Sequence, residues 1–180
     1  MTEQREMLAD SFKLGSKHPV PIIHIQDVAT GKIPSTGSRE FSGTLKSGES
    51  VRFIPIRKES TQKKRLLSIY GILSNTASIQ KLYGLFKTDK DEYAVMEELQ
   101  GDGSPFLRLD NAFTANETAS VVDLSRNQRL ILCYEISLII LYLHEQGFVA
   151  KVISDRSLFV RKVADCLVPV LSDLEQARSV

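Results

Sequence analysis

The most regular hydrophobic pattern in the chain predicts a helix over Arg126 to Gln146. Apolar residues Leu130, Ile131, Ile136, Leu138, Ile139 and Leu141 crowd this stretch, Asp123 or Ser125 is placed to cap its start, and Gly147 stands where a helix stops. A second helical spacing, Leu66, Leu67, Ile69, Tyr70 and Leu73, runs through Thr61 to Asn75, with Gly71 weakening its middle. Strand patterns fall over Ile22 to Val28, Val51 to Ile56, Ile79 to Phe86, Tyr93 to Glu97, Leu158 to Val160 and Val168 to Leu171. The stretch between Gly43 and Gly48 signals a hairpin, and Thr88-Asp89-Lys90-Asp91 signals a charged turn. Glu3 to Leu14 has the makings of a short helix, Asp102 to Asn111 is turn-rich, and Phe113 to Val122 is either a weak helix or extended. The element order is therefore strands with one helix, then a long helix and two short strands.

Composition narrows the class only modestly. With 42% hydrophobic and 25% charged residues in 180, the chain is globular in character rather than disordered. The net charge of +1, spread without a basic stripe, argues against a nucleic-acid partner. Met1 to Lys17 is polar and has no signal-peptide pattern, and Leu130 to Leu143 is shorter than the ~20 apolar residues a bilayer requires, so a cytoplasmic protein with no membrane partner is expected. Cys133 and Cys166 lack metal-type spacing and read as reduced, buried thiols. Three segments are expected: an N-terminal extension over 1–21, a first lobe over 22–99, and a hinge with a partial second lobe over 100–180.

Local phrases in this order resemble the eukaryotic protein kinases, in particular the tyrosine-kinase-like group. Ile79-Gln80-Lys81-Leu82-Tyr83-Gly84-Leu85-Phe86 is similar to that group's Ile-Val-Lys-Leu-Tyr-Gly-x-Phe strand. Tyr93-Ala94-Val95-Met96-Glu97-Glu98-Leu99 is similar to the strand and hinge that follow, and Leu141 to Val149 resembles the approach to the catalytic loop. Val170-Leu171-Ser172-Asp173-Leu174-Glu175-Gln176-Ala177-Arg178 resembles Lys-Leu-Ser-Asp-Phe-Gly-Leu-Ala-Arg. The resemblance covers about residues 22 to 180. It implies an α+β fold of protein kinase type: a five-stranded antiparallel N-lobe sheet with one helix, plus a partial helical C-lobe truncated after the Asp-Phe-Gly-equivalent position.

The same resemblance implies a degenerate site, because phosphoryl transfer depends on separate groups that position and neutralise the phosphates. Ile33 to Glu40 stands for the Gly-rich loop and holds only Gly37, off the motif positions, while Glu40 adds negative charge. Ile54 replaces the phosphate-holding lysine, and Lys58 lies about 13 Å further along an extended strand. Pro55 beside it calls for a bulge or a slip in the match. No acidic residue occurs between Glu59 and Asp89, so the helix glutamate expected around Leu67 is missing whatever the alignment. Val152 replaces the catalytic aspartate, and loss of a general base costs about 10²- to 10⁴-fold. Ser157 replaces the magnesium-binding asparagine; Asp173 alone survives as a metal ligand, if any metal binds. Met96, Glu97, Leu99 and Phe159 fall where a vestigial nucleotide pocket is lined.

Three readings follow from the resemblance. In the first, the chain is a catalytically inactive pseudokinase that signals by protein interaction, with no cofactor expected and ATP or Mg²⁺ bound weakly at most. In the second, it is an atypical active serine/threonine kinase that uses Lys58 or Arg52 as cation and Asp155 as base. In the third, it is a truncated kinase-fold fragment with no activity of its own. The helix over 126–146 carries more apolar surface than one packing face hides, so it is the expected contact for a protein partner or for the remainder of a longer chain.

Overall fold

The computed structural model describes residues 21–24, 27–30, 40–56, 61–73, 76–89, 91–100, 106–109, 124–151, 153–163, 166–174 and 177–179. The expectations for Glu3 to Leu14, for 33–39 and for Phe113 to Val122 lie outside these residues, as do Lys58 and Val152. The chain forms two compact units, the first ending at Glu98 and the second starting at Leu99, with Ala77–Ile79 belonging to the second.

In the first unit the strands are β1 (Ile22–Ile23), β2 (Val28–Thr30), β3 (Phe41–Leu45), β4 (Ser50–Ile56), β5 (Leu82–Lys87) and β6 (Glu92–Glu97), with helix α1 (Thr61–Leu73) between β4 and β5. They make one sheet in the order β1-β5-β6-β4-β3-β2. Neighbours run antiparallel except β1, which lies parallel to β5. The two edge strands are consecutive in sequence. Five residue steps separate Ile23 from Val28, a reach of at most about 17 Å, whereas the edges of a flat six-stranded sheet lie about 24 Å apart. The sheet must therefore curl until its edges approach each other.

The inside of that curl is the unit's core. Leu45, Val51, Phe53, Phe86, Tyr93 and Val95 are buried together, with Ile23, Val28, Phe41 and Tyr83 packed against them, so every strand contributes. Phe41 stacks on Phe53 at 4.4 Å between ring centres, and Phe53 meets Phe86 edge-on at 5.4 Å, both favoured aromatic geometries. Helix α1 meets the opposite face through Lys63, which contacts Glu92 of β6. Its buried residues Leu66, Ile69, Tyr70 and Leu73 follow the i, i+3, i+4, i+7 spacing.

The expected single strand over Ile22 to Val28 is interrupted by a turn. The Asp27 carboxylate accepts the His24 amide at 2.8 Å, and the Asp27 amide donates to the His24 carbonyl. Strand β1 then docks on β5 through the Leu85 amide, which donates to the Pro21 carbonyl at 2.9 Å. Gly84 makes room for it: a Cβ there would sit 2.5 Å from the Pro21 oxygen and 2.8 Å from Ile23 Cγ1. Gly84→Ala is expected to lower stability by about 1–3 kcal/mol and to speed hydrogen exchange of the Leu85 amide. Unchanged exchange at Leu85 would show that β1 is not held as described.

Pro55 needs neither a bulge nor a slip. The Ser50 carbonyl accepts the Glu98 amide, so the even-numbered residues of β4 turn their backbone groups toward β6. Pro55, an odd position, turns toward β3, whose pairing with β4 ends at Phe41↔Phe53. Its missing N–H therefore removes no bond of the β3–β4 ladder.

The second unit holds β7 (Phe106–Arg108), α2 (Arg126–Glu145), β8 (Phe148–Val149), β9 (Leu158–Val163), β10 (Cys166–Leu171) and β11 (Arg178–Ser179). Strands β10, β9 and β7 form an antiparallel sheet, and β8 pairs with β11. Helix α2 packs on β10 and β8. Ser125 caps it in a reciprocal capping box with Gln128, and Gly147 leaves it with φ +77°.

This architecture corrects the expected fold class. The five-stranded antiparallel lobe is instead a six-stranded mixed sheet, because β1 adds to the β5 edge at Gly84. The expected helical second lobe is strand-rich, with two small sheets and one helix among the described residues. Phe106 to Arg108, read as part of a turn, joins the β9–β10 hairpin as a third strand. Cys133 and Cys166 are free thiols, but Cys133 is exposed on α2 and Cys166 only half-buried, rather than both buried. Among the described residues no helix is long and apolar enough to cross a membrane.

Candidate functional site

On the sheet of the first unit, Ile54 stands directly opposite Ala94, and Arg52 opposite Met96. Strand alternation puts Glu92, Ala94 and Met96 on one face of β6, away from Tyr93 and Val95 in the curled core. Ile54 shares that outer face, and α1 reaches it through Lys63, whose Nζ contacts Glu92 Oε2 at 2.5 Å. Lys87 Nζ approaches the other Glu92 oxygen at 3.4 Å. Glu92 is only 3% exposed. Burial alone would raise its carboxyl pKa, but the hydrogen bonds and charges of Lys63 and Lys87 hold it below the ordinary value.

The polarity here is the reverse of what the resemblance implies. A cation belongs on the strand and an acid on the helix; this chain has Ile54 on the strand, and α1 bears Lys63, Lys64 and Arg65 near its start with no acid in its first turn. Three cations at a helix N-terminus oppose the helix dipole, so α1 is held by its buried stripe and by Glu92. Leu67, at the expected glutamate position, is half-buried. Sequence reasoning missed this ion pair. The available signal was Glu92 alternating with Ala94 and Met96 in an otherwise apolar strand.

Met96 is buried in β6. At Glu97 the backbone is already engaged on both sides: its amide donates to the Lys81 carbonyl at 2.8 Å, and its carbonyl accepts Gln80 Nε2 at 2.8 Å. Glu98 accepts the Ser42 hydroxyl at 2.6 Å and donates its amide to Ser50. Glu40, from the expected phosphate loop, pairs with Arg52 at 3.3 Å on the surface.

In the second unit, Leu99 and Phe159 come together as packing partners. They are buried with Val170, and Phe106 packs against them. Ser157 is buried, and its hydroxyl is spent on its own loop, donating to the Ser154 carbonyl at 3.0 Å and accepting the Ser154 amide at 2.9 Å. Ser172 ties the next segment to it, donating both its amide (2.8 Å) and its hydroxyl (3.2 Å) to the Ser157 carbonyl. Leu171 is pinned from the other side, its amide donating to the Ser78 carbonyl. Asp173 leaves this pinned segment exposed, with φ +59°, a left-handed conformation that Asp tolerates better than most residues. Asp155 and Lys151 are exposed. No group of three or more His, Cys, Asp or Glu able to hold a metal occurs among the described residues.

One further titratable group stands out. Glu135 lies in the buried stripe of α2 with Leu132, Ile139, Tyr142 and Leu143, is 5% exposed, and its Oε2 has no hydrogen-bond partner among the described residues. Burial pushes its carboxyl up to about 7. Compared with known proteins, the chain matches no family model and no curated protein.

Proposed function

We propose that this chain is a pseudokinase-like protein-interaction module of the cytoplasm that performs no phosphoryl transfer. The observation that carries this reading is the reversed charge pair. Lys63 on the helix contacts Glu92 on the sheet, and Ile54 stands where the resemblance expects the phosphate-holding lysine. Three further features support it. The Glu97 carbonyl, which the resemblance puts at the hinge, already accepts Gln80 Nε2. The Ser157 hydroxyl closes its own loop, and Val152 provides no base. Free thiols at Cys133 and Cys166 accord with a reducing compartment.

The test is thermal denaturation with about 1 mM ATP, with and without Mg²⁺, alongside transfer of label from γ-labelled ATP. A ligand with a dissociation constant near its own concentration stabilises by only about 0.4 kcal/mol, so a melting shift of about 1–3 °C at most, indifferent to Mg²⁺, is expected. A large Mg²⁺-dependent shift, or label transfer abolished by Asp155→Asn, would refute the proposal.

A further inference from the structure

Helix α2 has a second apolar stripe, which is left exposed among the described residues. Leu130 is 60% exposed, Tyr134 54% and Leu141 52%, and Ile131 is exposed beside them. At about 100° per residue these four share one side of the helix, roughly opposite the buried stripe of Leu132, Ile139 and Leu143. Leu130, Tyr134, Ser137 and Leu141 follow the i, i+4, i+7, i+11 spacing of a helix–helix seam about 16 Å long.

The charges on α2 say what fits there. Apart from buried Glu135, its formally charged residues are Arg126 and Arg129 at the start and Glu145 at the end. Both ends are wrong for an isolated helix, whose positive N-terminus favours acids and whose negative C-terminus favours bases. They suit an antiparallel partner that has the same charges. With a twofold axis between Glu135 and Ile136, Arg126 of one copy faces Glu145 of the other, Leu130 faces Leu141, and the bulky Tyr134 faces the small Ser137. Every contact occurs twice, as a twofold interface requires. A parallel pair would set Arg126 against Arg126.

We propose that the exposed stripe of α2 is a self-association surface on which a second copy of this chain docks its own α2, antiparallel and in this register. The contact is small, so the dimer is weak and responds to salt at its charged ends. The proposal goes beyond the non-catalytic reading and does not depend on it, and its test contains no nucleotide.

The test is sedimentation of the full chain from roughly 1 to 200 µM at low salt, spanning the range in which so small an interface associates. The native chain is expected to pass reversibly from monomer to dimer, and Leu141→Asp to remain monomeric. Arg126→Glu and Glu145→Arg should each weaken the dimer about 5- to 10-fold, and the double exchange should restore it to within about 2-fold. Leu141, Arg126 and Glu145 are all exposed, and far-ultraviolet circular dichroism checks that each variant is folded. A native chain that is monomeric throughout overturns the proposal, as does a dimer indifferent to Leu141→Asp. Single exchanges that the double exchange fails to rescue overturn the antiparallel register.

Discussion

At about pH 8 the Glu135→Gln protein is expected to be more stable than the native one by about 2–3 kcal/mol, and at about pH 4 the two are expected to unfold alike. Among the described residues no cation is paired with Glu135. Helix α2 packs on β8, which is Phe148–Val149, and on β10, which is Cys166–Leu171, where Cys166 is the only titratable group. One turn away along the helix stand Ile131, Leu132, Leu138 and Ile139, all apolar. Desolvation is therefore uncompensated and the carboxyl titrates near 7 in the folded protein. A carboxyl raised above its unfolded value binds a proton in the folded state that the unfolded chain has already released. Stability then falls as pH rises from the unfolded value of about 4.5 to about 7, and is flat above that. The glutamine is neutral throughout and escapes this loss. Urea unfolding of both proteins across the range gives the difference curve directly. A pH-independent difference would mean that the carboxyl is solvated or paired in solution.

The second large effect is expected at Glu92, with the opposite pH dependence. Glu92→Gln should cost about 2–3 kcal/mol near neutral pH, because it removes the carboxylate, 3% exposed, that both Lys63 and Lys87 contact. Since the folded carboxyl titrates below its ordinary value, its contribution is present above about pH 4.5 and is lost as pH falls through the folded pKa. Replacing both partners, Lys63→Met with Glu92→Gln, should recover about half or more of the loss, since the ammonium that the carboxylate neutralised is removed with it. Equal stability of the single and double variants would show that Lys63 finds another partner and that α1 does not depend on Glu92.

These two carboxylates show where the sequence was legible and where it was not. Both occupy apolar stretches, Glu135 among Ile and Leu on α2 and Glu92 between strand residues on β6. The sequence marks each as unusual. Whether a carboxylate meets two lysines, as Glu92 does, or none among the described residues, as for Glu135, depends on tertiary packing, and that reverses the sign of its shift. The positions singled out through the kinase resemblance fared unevenly. Ile54 lies on the same sheet face as Ala94 and Glu92, the latter contacted by Lys63 of α1. Leu99 and Phe159 do meet, but as core side chains with Val170, since three large apolar groups brought together exclude water from one another. Ser157 was noted as a replaced ligand; its actual work, bridging the loop back to Ser154 and holding Ser172, depends on a tertiary approach that spacing does not reveal.

By itself the sequence determined the locally coded elements. The two described helices appear where their spacing placed them, and for α2 Ser125 with Gln128 and Gly147 are signals read within a turn of the chain. The β3–β4 hairpin follows for the same reason, with Gly48 at φ +100° in its turn. Tertiary structure decided the rest. The break at His24–Asp27 sends two consecutive strands to opposite edges and forces the sheet to curl. The docking of β1 at Gly84 turns a five-stranded antiparallel expectation into a six-stranded mixed sheet. These outcomes depend on contacts between residues far apart in sequence, where burial and steric fit outweigh local preference.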